Sequence, residues 1–317
     1  MTSLTTTFTS VTYLNITLDQ ADQRIDNFLF THFKGVPKSH IYQILRRGEV
    51  RVNKGRIKPT YRLQAGDQLR LPPVQQRHSE TTTPAPYFLK TLAKAILYED
   101  QTLLVVNKPV GMAVHGGSGI SFGVIEGLRA LYPKTAYLEL VHRLDRETSG
   151  CLLIAKKRSL LKQLHEAFRR NEIDKSYMAL ARGQWRSDLT DVDAPLQKNH
   201  LQSGERVVRV NQLGKPARSQ FQIEKKFPIA TLLRVHPVTG RTHQIRVHAT
   251  YQGHPLAGDE KYGDSVFNQL MRTHKLNRLF LHAEQIKIHL LEPSYRVTVS
   301  APLPADLQQV LHQLETL

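Results

Sequence analysis

A stretch without apolar periodicity, PVQQRHSETTTPAP at residues 73–86, constrains the architecture more than any other feature of the sequence. Its prolines, threonines and polar residues offer no face that a core could bury, which is typical of a linker. The 317-residue chain is therefore expected to form two domains. We place an N-terminal extension at 1–20, a small domain with its linker at 21–85 and a large domain at 86–317.

The charge of the chain indicates the class of its partner. The sequence carries 44 Lys and Arg against 27 Asp and Glu, a formal net charge of +17. Such an excess favours a polyanion, nucleic acid first and an anionic membrane surface second. No apolar run approaches the roughly 18 residues that a membrane span requires, and the N-terminus lacks the pattern of a signal peptide. We expect a soluble, cytoplasmic monomer.

Metal and disulfide chemistry find little support in the residues. The single Cys151 excludes an intramolecular disulfide and a cysteine-based zinc site, and we expect it to be a small buried hydrophobe. His243 precedes QIRVHAT, a predicted strand that contains His248, and residues five apart on a strand point to opposite faces. Since no carboxylate or cysteine completes a ligand set, the sequence does not predict a metal site.

The small domain reads as two helices followed by two short strands. In IDNFLFTHF four apolar residues share one helical face: Ile25, Phe28, Leu29 and Phe33. Ser39 is a candidate N-cap for a second helix, HIYQILRRG, which Gly48 ends. The segments EVRVN and DQLRLP after it are predicted strands, and residues 11–16 form a possible strand before the first helix.

Positive charge is concentrated in this small domain. Residues 21–72 contain 11 Lys and Arg against 4 Asp and Glu. The candidate RNA-binding residues lie at the end of the second helix and in the strand after it: Arg46, Arg47, Arg51, Lys54, Arg56 and Lys58. Charges of one sign on a compact unit are typical of a phosphate-binding surface, whose affinity depends strongly on salt. A merely solvated charged face is the alternative.

The large domain alternates strand-like runs with fewer helices, which favours an α+β fold around a mixed, mainly antiparallel sheet. The predicted strands are LLVVNK, CLLIAK, SYMALARG, SQFQIEKKF, ATLLRVHP, QIRVHAT and RVTVS. The predicted helices are LKQLHEAFRR and ADLQQVLHQLETL.

One loop in this domain, HRLDRETSG at 142–150, carries several reactive side chains just before a predicted strand. Asp145 suits a turn or a cap, and from the residues alone this interpretation is favoured. His142, Asp145 and Ser149 also suggest a hydrolase triad. However, no G-x-S-x-G elbow surrounds the serine, and three such residues in one loop do not readily face each other.

A resemblance changes that interpretation. The pattern V-H-R-L-D-x-x-T-S-G-x-L-L-x-A-K resembles the active-site signature of the RluA-type pseudouridine synthases. Other segments similar to that family follow in order, from about 98 to 298: NKPVGMAVH, DKSYMALARG, HPVTGRTHQIRVH, GHPLAGDEKYG and RLFLHA. The small domain, with R-I-D-x-F-L and RRGEVRVNKGRIKPTYRLQAGDQL, resembles the S4 RNA-binding domain.

The resemblance implies a function for individual residues. It implies an isomerase that turns uridine into pseudouridine without a cofactor, with Asp145 as the catalytic carboxylate and Arg246 as the cation whose fork holds it. Tyr177 would stack on the target base, and Arg143 would help to extrude it from the RNA. Leu281 is the candidate for an apolar floor under the base.

An S4-like domain is common in those members of the family that act on large-subunit rRNA. The resemblance therefore implies 23S rRNA, free or partly assembled into the large subunit, as the partner. The alternatives are the same chemistry on another rRNA or tRNA uridine, and a non-catalytic S4-bearing rRNA assembly factor. The sequence leaves open whether Asp145 attacks C6 of the base, attacks C1′, or removes a proton from the sugar.

Overall fold

The structure, a computed structural model, describes residues 10–33, 36–74, 84–117, 121–135, 137–200, 206–290 and 294–317. The chain divides into two compact units, Met1–Thr83 and Pro84–Leu317. Most of the linker assigned from the sequence, residues 75–83, lies outside the described residues.

Two helices and a four-stranded antiparallel sheet build the small unit. The helices are α1 (Ile25–His32) and α2 (Lys38–Arg47). The strands, in the sheet order β1-β4-β2-β3, are β1 (Thr12–Asn15), β2 (Arg51–Val52), β3 (Gly55–Arg56) and β4 (Gln68–Leu71). Because β1 pairs with β4, residues that the sequence analysis assigned to an N-terminal extension belong to this sheet.

The first helix is confirmed, whereas the start of the second is corrected. Ile25, Phe28, Leu29 and Phe33 are all buried in one apolar cluster with the sheet. Gly48 ends α2 in the left-handed region, with φ of 69°, which glycine adopts without steric cost. Ser39 is not the N-cap: α2 already begins at Lys38, so Ser39 lies in its first turn.

A ten-stranded sheet forms the centre of the large unit. Its main path runs β10-β13-β14-β9-β15-β8-β6-β5, with β16 on β15 and β7 on β8. The pairing of β15 with β8 is parallel and the other pairings are antiparallel, which confirms a mixed, mainly antiparallel sheet. The strands are β5 (Ile96–Glu99), β6 (Leu103–Lys108), β7 (Glu139–Leu140), β8 (Ser149–Ala155), β9 (Asp174–Arg182), β10 (Asp191–Asp193), β13 (Arg218–Lys226), β14 (Ala230–Pro237), β15 (Leu281–Leu290) and β16 (Tyr295–Ser300), with a separate hairpin of β11 (Leu196–His200) and β12 (Arg206–Val210).

Helices cover both faces of the sheet where β6 and β8 lie: α3 (Pro86–Lys94) and α4 (Val124–Leu131) on one face, and α5 (Arg158–Arg169) on the other. The helices α6 (Gln244–Tyr251), α7 (Ser265–Thr273) and α8 (Ala305–Glu315) pack elsewhere in the large unit. Leu153 packs with residues of α5, whereas its neighbour Leu152 packs with residues of α3 and α4. Burial on both faces explains why these strands are continuously apolar in sequence. Among the described residues, no helix is long and apolar enough to cross a bilayer.

The predicted strand QIRVHAT is wrong, because these residues form α6. The buried side chains run continuously from Gln244 to Ala249, so the helix shows no apolar stripe with a period of 3.6 residues. Gln244, the first residue of α6, is held by the segment before the helix. The Oε1 atom of Gln244 accepts from the Arg241 amide at 2.9 Å and from the Thr239 hydroxyl at 2.6 Å. The zinc argument from opposite strand faces therefore has no basis at His243 and His248.

Candidate active site

A cavity of about 650 Å³ opens at one end of the central sheet of the large unit. Five segments line it: residues 113–117, the loop before β8, the start of α6, and the loops around 258–261 and 277–279. Asp145 lies on its wall, with 30% of its side chain exposed. The predicted catalytic carboxylate is therefore accessible to a substrate in this cavity.

The loop that carries Asp145 is fixed where it enters β8. The backbone carbonyl of Asp145 accepts from the Thr148 amide at 3.1 Å, which closes a turn. Gly150 follows with φ of 109°, and a Cβ there would lie 2.2 Å from the carbonyl oxygen of Ala283 on β15. Only glycine permits this approach of β8 to β15. The T-S-G of the motif thus serves the backbone that positions Asp145.

A buried lysine that the sequence analysis did not single out also holds this loop. The side chain of Lys108 is fully buried, and its Nζ donates to the carbonyls of Pro109, Met112 and Arg146 at 2.9, 3.0 and 3.0 Å. Burial lowers the pKa of Lys108 to about 7. Because Arg146 follows Asp145 directly, these bonds tie the catalytic loop to the end of β6.

Arg246 on α6 faces Asp145, but its fork is held by a different carboxylate. Its Nε and Nη2 each donate at 2.7 Å to the two oxygens of Asp259, whereas its Nη1 lies 3.7 Å from Oδ2 of Asp145. The expectation that the fork itself holds Asp145 is thus corrected. The bidentate pair orients Arg246 so that its remaining nitrogen points to Asp145.

Asp259 was missed because its partner lies on another segment of the chain. Burial raises its pKa, but the hydrogen bonds and charge of Arg246 outweigh this and hold the pKa of Asp259 below its ordinary value. Its Oδ1 also accepts from the amides of Lys261 and Tyr262, both at 2.9 Å. The only sequence signal was the segment GHPLAGDEKYG, in which no side chain had been given a role.

His243, considered above only as a metal ligand, also faces the catalytic carboxylate. It precedes α6 in the left-handed region, with φ of 54°. Its Nε2 lies 3.7 Å from Oδ1 of Asp145, and its Nδ1 lies 2.7 Å from the hydroxyl of Tyr262. Each oxygen of Asp145 therefore has a different nitrogen opposite it.

Tyr177 and Leu281 belong to one apolar cluster, and neither is among the residues that line the cavity. Tyr177 on β9 is half-buried and also packs against the cluster that contains Leu144, the residue before Asp145. Burial raises the pKa of Tyr177 well above its ordinary value, and the nearby Asp145 charge adds to the effect. Leu281 is 4% exposed, whereas Leu279 lines the cavity. The proposed floor residue thus supports the site from within the core.

Arg143 is exposed at the mouth of the cavity and makes no ion pair with any residue that the structure describes. A cation that is already paired would have to break that pair before it gripped a phosphate. Its position on the catalytic loop, two residues before Asp145, fits a group that contacts RNA during extrusion of the base.

The alternative hydrolase triad is not assembled. His142 accepts from the Leu153 amide at 3.1 Å through Nε2, and burial lowers its pKa to about 4. Ser149 bonds to Nδ1 of His282 at 2.9 Å and to Arg278 at 2.6 Å. Cys151 is buried as expected, and burial raises its pKa to about 11.

The six charged residues predicted on the small unit are all exposed and form what we term the cationic face: Arg46, Arg47, Arg51, Lys54, Arg56 and Lys58. Arg51 and Arg56 are direct cross-strand partners on β2 and β3, an arrangement that like charges disfavour. Lys54 stands at the hairpin tip with φ of 67°. Within the described residues, the ion pair recorded for this face joins Arg47 to Glu49 at 3.8 Å.

Comparison with known proteins identifies the family of each unit. The model of the RNA pseudouridylate synthase family matches residues 102–251, and that of the S4 domain matches residues 23–69. The chain belongs to the RNA pseudouridylate synthase family, an isomerase family, and carries an N-terminal S4 domain. Both resemblances stated from the sequence are thereby confirmed.

Individual relatives indicate a narrower group within this family. The chain is 56% identical over 309 residues to Ribosomal large subunit pseudouridine synthase C of Escherichia coli K12, covering 96% of this chain and 97% of the relative. It is 51% identical to the protein of that name in Haemophilus ducreyi, covering 99% of each. Among solved structures, Human RNA Pseudouridylate Synthase Domain Containing 4 is 28% identical with a TM-score of 0.59, covering 72% of this chain and 96% of that one.

Proposed function

We propose that this chain isomerises specific uridines of 23S rRNA to pseudouridine, in the cytoplasm, on free rRNA or on a partly assembled large subunit. The target is supported by relatives named for the ribosomal large subunit, which are 51–56% identical to this chain over nearly its full length. The aligned length includes the S4 domain. The resemblance further suggests three uridines around the peptidyl-transferase region. A monomer suffices, because Asp145 and Arg246, the central pair of the site, lie on one chain.

One observation carries the chemical part of the proposal. Asp145 stands accessible on the cavity wall, with a guanidinium nitrogen 3.7 Å from one of its oxygens. A carboxylate acts as a nucleophile or a base in its ionised form, and the guanidinium is a positive charge fixed opposite it. The arrangement is therefore suited to covalent or proton-transfer chemistry at Asp145.

The reaction itself needs no external reagent. The C1′–N1 bond of uridine breaks, the uracil turns, and a C1′–C5 bond forms, while C5 loses a proton and N1 gains one. No electron is gained or lost overall, and no group leaves the RNA. Asp145 would attack C6 of the base or C1′ of the ribose, or would remove a sugar proton, and each route requires the same ionised carboxylate.

The neighbouring side chains would handle the RNA. Arg143, exposed beside Asp145, would contact the strand as the target base leaves its stack. Tyr177 would stack on the extruded base, with Leu281 supporting it from the core. Extrusion costs a few kcal/mol, so contacts that hold the flipped nucleotide are required.

The cationic face of the S4 domain would supply affinity. Its exposed Lys and Arg side chains can contact phosphates of folded rRNA, and each phosphate contact steepens the salt dependence of binding. These contacts carry little base information. Selection of the uridine would therefore depend on the large unit and on the shape of the RNA.

Pseudouridine mapping of rRNA and tRNA tests the proposal. RNA from cells that lack the protein is compared with RNA from cells that regain either the wild type or Asp145→Asn. We expect particular pseudouridines of 23S rRNA to disappear, to return with the wild type, and to stay absent with Asp145→Asn. A loss confined to tRNA would redirect the target. An unchanged map, or restoration by Asp145→Asn, would refute the catalytic assignment.

A further inference from the structure

The hydrogen-bond directions around His243 determine where its proton lies. The Val208 amide donates to the hydroxyl oxygen of Tyr262 at 3.0 Å, and a backbone amide can act only as a donor. This leaves the hydroxyl proton of Tyr262 free to donate to Nδ1 of His243, 2.7 Å away. The proton of a neutral imidazole then lies on Nε2, the nitrogen that faces Asp145.

The opposite tautomer is disfavoured by Asp145. If Nδ1 carried the proton, the lone pair of Nε2 would face Oδ1 of the carboxylate at 3.7 Å, and the two would repel each other. Burial and the charges of Arg246 and Lys261 lower the pKa of His243, against the opposing charges of Asp145 and Asp259. The lowered pKa favours the neutral imidazole, and with the Tyr262 hydroxyl on Nδ1 this form offers Nε2–H to Asp145.

The two donors opposite Asp145 are oriented by different side-chain groups. Nη1 of Arg246 faces Oδ2, and its orientation is set by Asp259. Nε2 of His243 faces Oδ1, and its orientation is set by Tyr262. Both distances are 3.7 Å, longer than a hydrogen bond, and catalytic contacts often shorten to about 2.6–3.2 Å only when substrate is bound.

We propose that His243 is a positioning residue for Asp145. Its Nε2–H, fixed by the Tyr262 hydroxyl, sets the rotation of the carboxylate about its Cβ–Cγ bond, so that a defined oxygen lone pair faces the nucleotide. Arg246 places a positive charge opposite Asp145, and His243 determines the direction of the carboxylate. This inference rests on the proposed isomerase function, in which the direction of the carboxylate controls the rate.

Two amide substitutions at His243 test whether a donor directed at Asp145 is what matters. In His243→Asn the side-chain amide occupies the place of Nδ1, and Asn tolerates the left-handed backbone, but nothing points to Asp145. In His243→Gln the amide nitrogen reaches the place of Nε2 and keeps a donor toward Asp145. We expect His243→Asn to slow single-turnover isomerisation at saturating RNA about 10- to 100-fold, with RNA affinity unchanged. His243→Gln should stay within a few-fold of the wild type.

A double-mutant cycle tests the link to Tyr262. Tyr262→Phe keeps the ring under Arg246 but removes the proton donated to His243. It should slow the reaction, and it should have little further effect in the His243→Asn background, because both substitutions act through one chain of hydrogen bonds. Fully additive losses would overturn the proposal.

Nitrogen NMR of histidine-labelled protein gives a readout that does not depend on activity. We expect His243 to be protonated on Nε2 in the wild type and in Asp145→Asn, and to lose this preference in Tyr262→Phe. An Nδ1–H tautomer in the wild type would contradict the proposal. So would full activity of His243→Asn, or a rate of His243→Gln no better than that of His243→Asn. Absence of pseudouridine formation by the wild type would instead refute the proposed function and leave the tautomer assignment standing.

Discussion

Arg246 in the large unit and Arg51 in the small unit both have proposed roles, the first beside the catalytic carboxylate and the second in phosphate binding. Their surroundings differ. Arg246 is 8% exposed and forms a bidentate pair with a carboxylate that is itself 1% exposed. Arg51 is exposed, and its Nε donates to the Gly48 carbonyl at 3.2 Å. It lies opposite another arginine, Arg56, on the neighbouring strand. One cation is oriented by the protein, whereas the other is left for an external anion.

This difference separates geometry from affinity. A charge that must point at one carboxylate oxygen needs rigid partners, and Asp259 and α6 provide them. A charge that must attract a flexible polyanion gains more from exposure and from like-charged neighbours. Substitutions in the two regions should therefore change different measured quantities.

The largest effect in this comparison is expected at Arg246. Arg246→Met removes the cation opposite Asp145 and leaves Asp259 buried without a partner. The single-turnover rate should fall at least about 100-fold, since loss of one oriented donor costs that much in other enzymes. Arg246→Lys is the matched control: it keeps the charge, loses the fork and should recover part of the rate. Equal rates for Arg246→Met and the wild type would separate Arg246 from the chemistry.

Next in size is the stability effect of Asp259→Asn. Removing one partner of a buried ion pair costs about 3–5 kcal/mol in free energy of unfolding, measured by urea denaturation. The pKa of Asp259 is lower in the folded protein, so the unfolded chain takes up a proton first as the pH falls. The wild-type advantage should therefore be complete above about pH 4 and decline below it. An advantage independent of pH would show that the Asp259 charge does not stabilise the fold.

The cationic face should affect binding rather than chemistry. Replacing Arg51, Lys54 and Arg56 by Gln should lower the slope of log affinity against log salt by about 2–3, because each lost phosphate contact removes about 0.7–0.9. The rate at saturating RNA should not change. Arg186→Gln, which removes an exposed arginine already paired with Asp188, is the control and should leave the slope unaltered. An unchanged slope in the triple variant would make this face a solvated surface.

The smallest effect concerns the like-charged pair of Arg51 and Arg56. Arg56→Gln removes the cross-strand repulsion and keeps the stem that packs on Gly48. Thermal unfolding of the small unit should shift upward by about 1–3 °C, while RNA affinity falls. A lower melting temperature would show that the charge contributes to the fold.

The sequence predicted those parts of the molecule in which local pattern and burial agree. Helix α1 is amphipathic, with Phe28 on its buried face. Strand β8, which contains Leu152, is apolar throughout because helices cover both sides of the sheet there. The sequence prediction failed at α6, whose buried side chains form no stripe and whose β-branched residues Ile245, Val247 and Thr250 are typical of a strand.

The site was predicted only through the resemblance. Asp145, Tyr177 and Arg246 matched family motifs and received roles, whereas Asp259, Lys108 and His243 lie in segments similar to the family but received no catalytic role. Their roles depend on partners distant in sequence: Lys108 bonds to the Arg146 carbonyl 38 positions later, and His243 bonds to Tyr262 19 positions later. Such contacts exist only after the chain has folded, so periodicity and spacing could not show them.

A single-turnover experiment on 23S rRNA with two variants tests the central claim most directly. Asp145→Asn is compared with the triple Gln variant of the cationic face, and both RNA affinity and conversion at saturating enzyme are measured. The account predicts that Asp145→Asn binds within a few-fold of the wild type and converts no uridine. The triple variant should bind more weakly but convert at the wild-type rate. Conversion by Asp145→Asn, or a slowed chemical step in the saturated triple variant, would contradict the division between oriented and exposed charge.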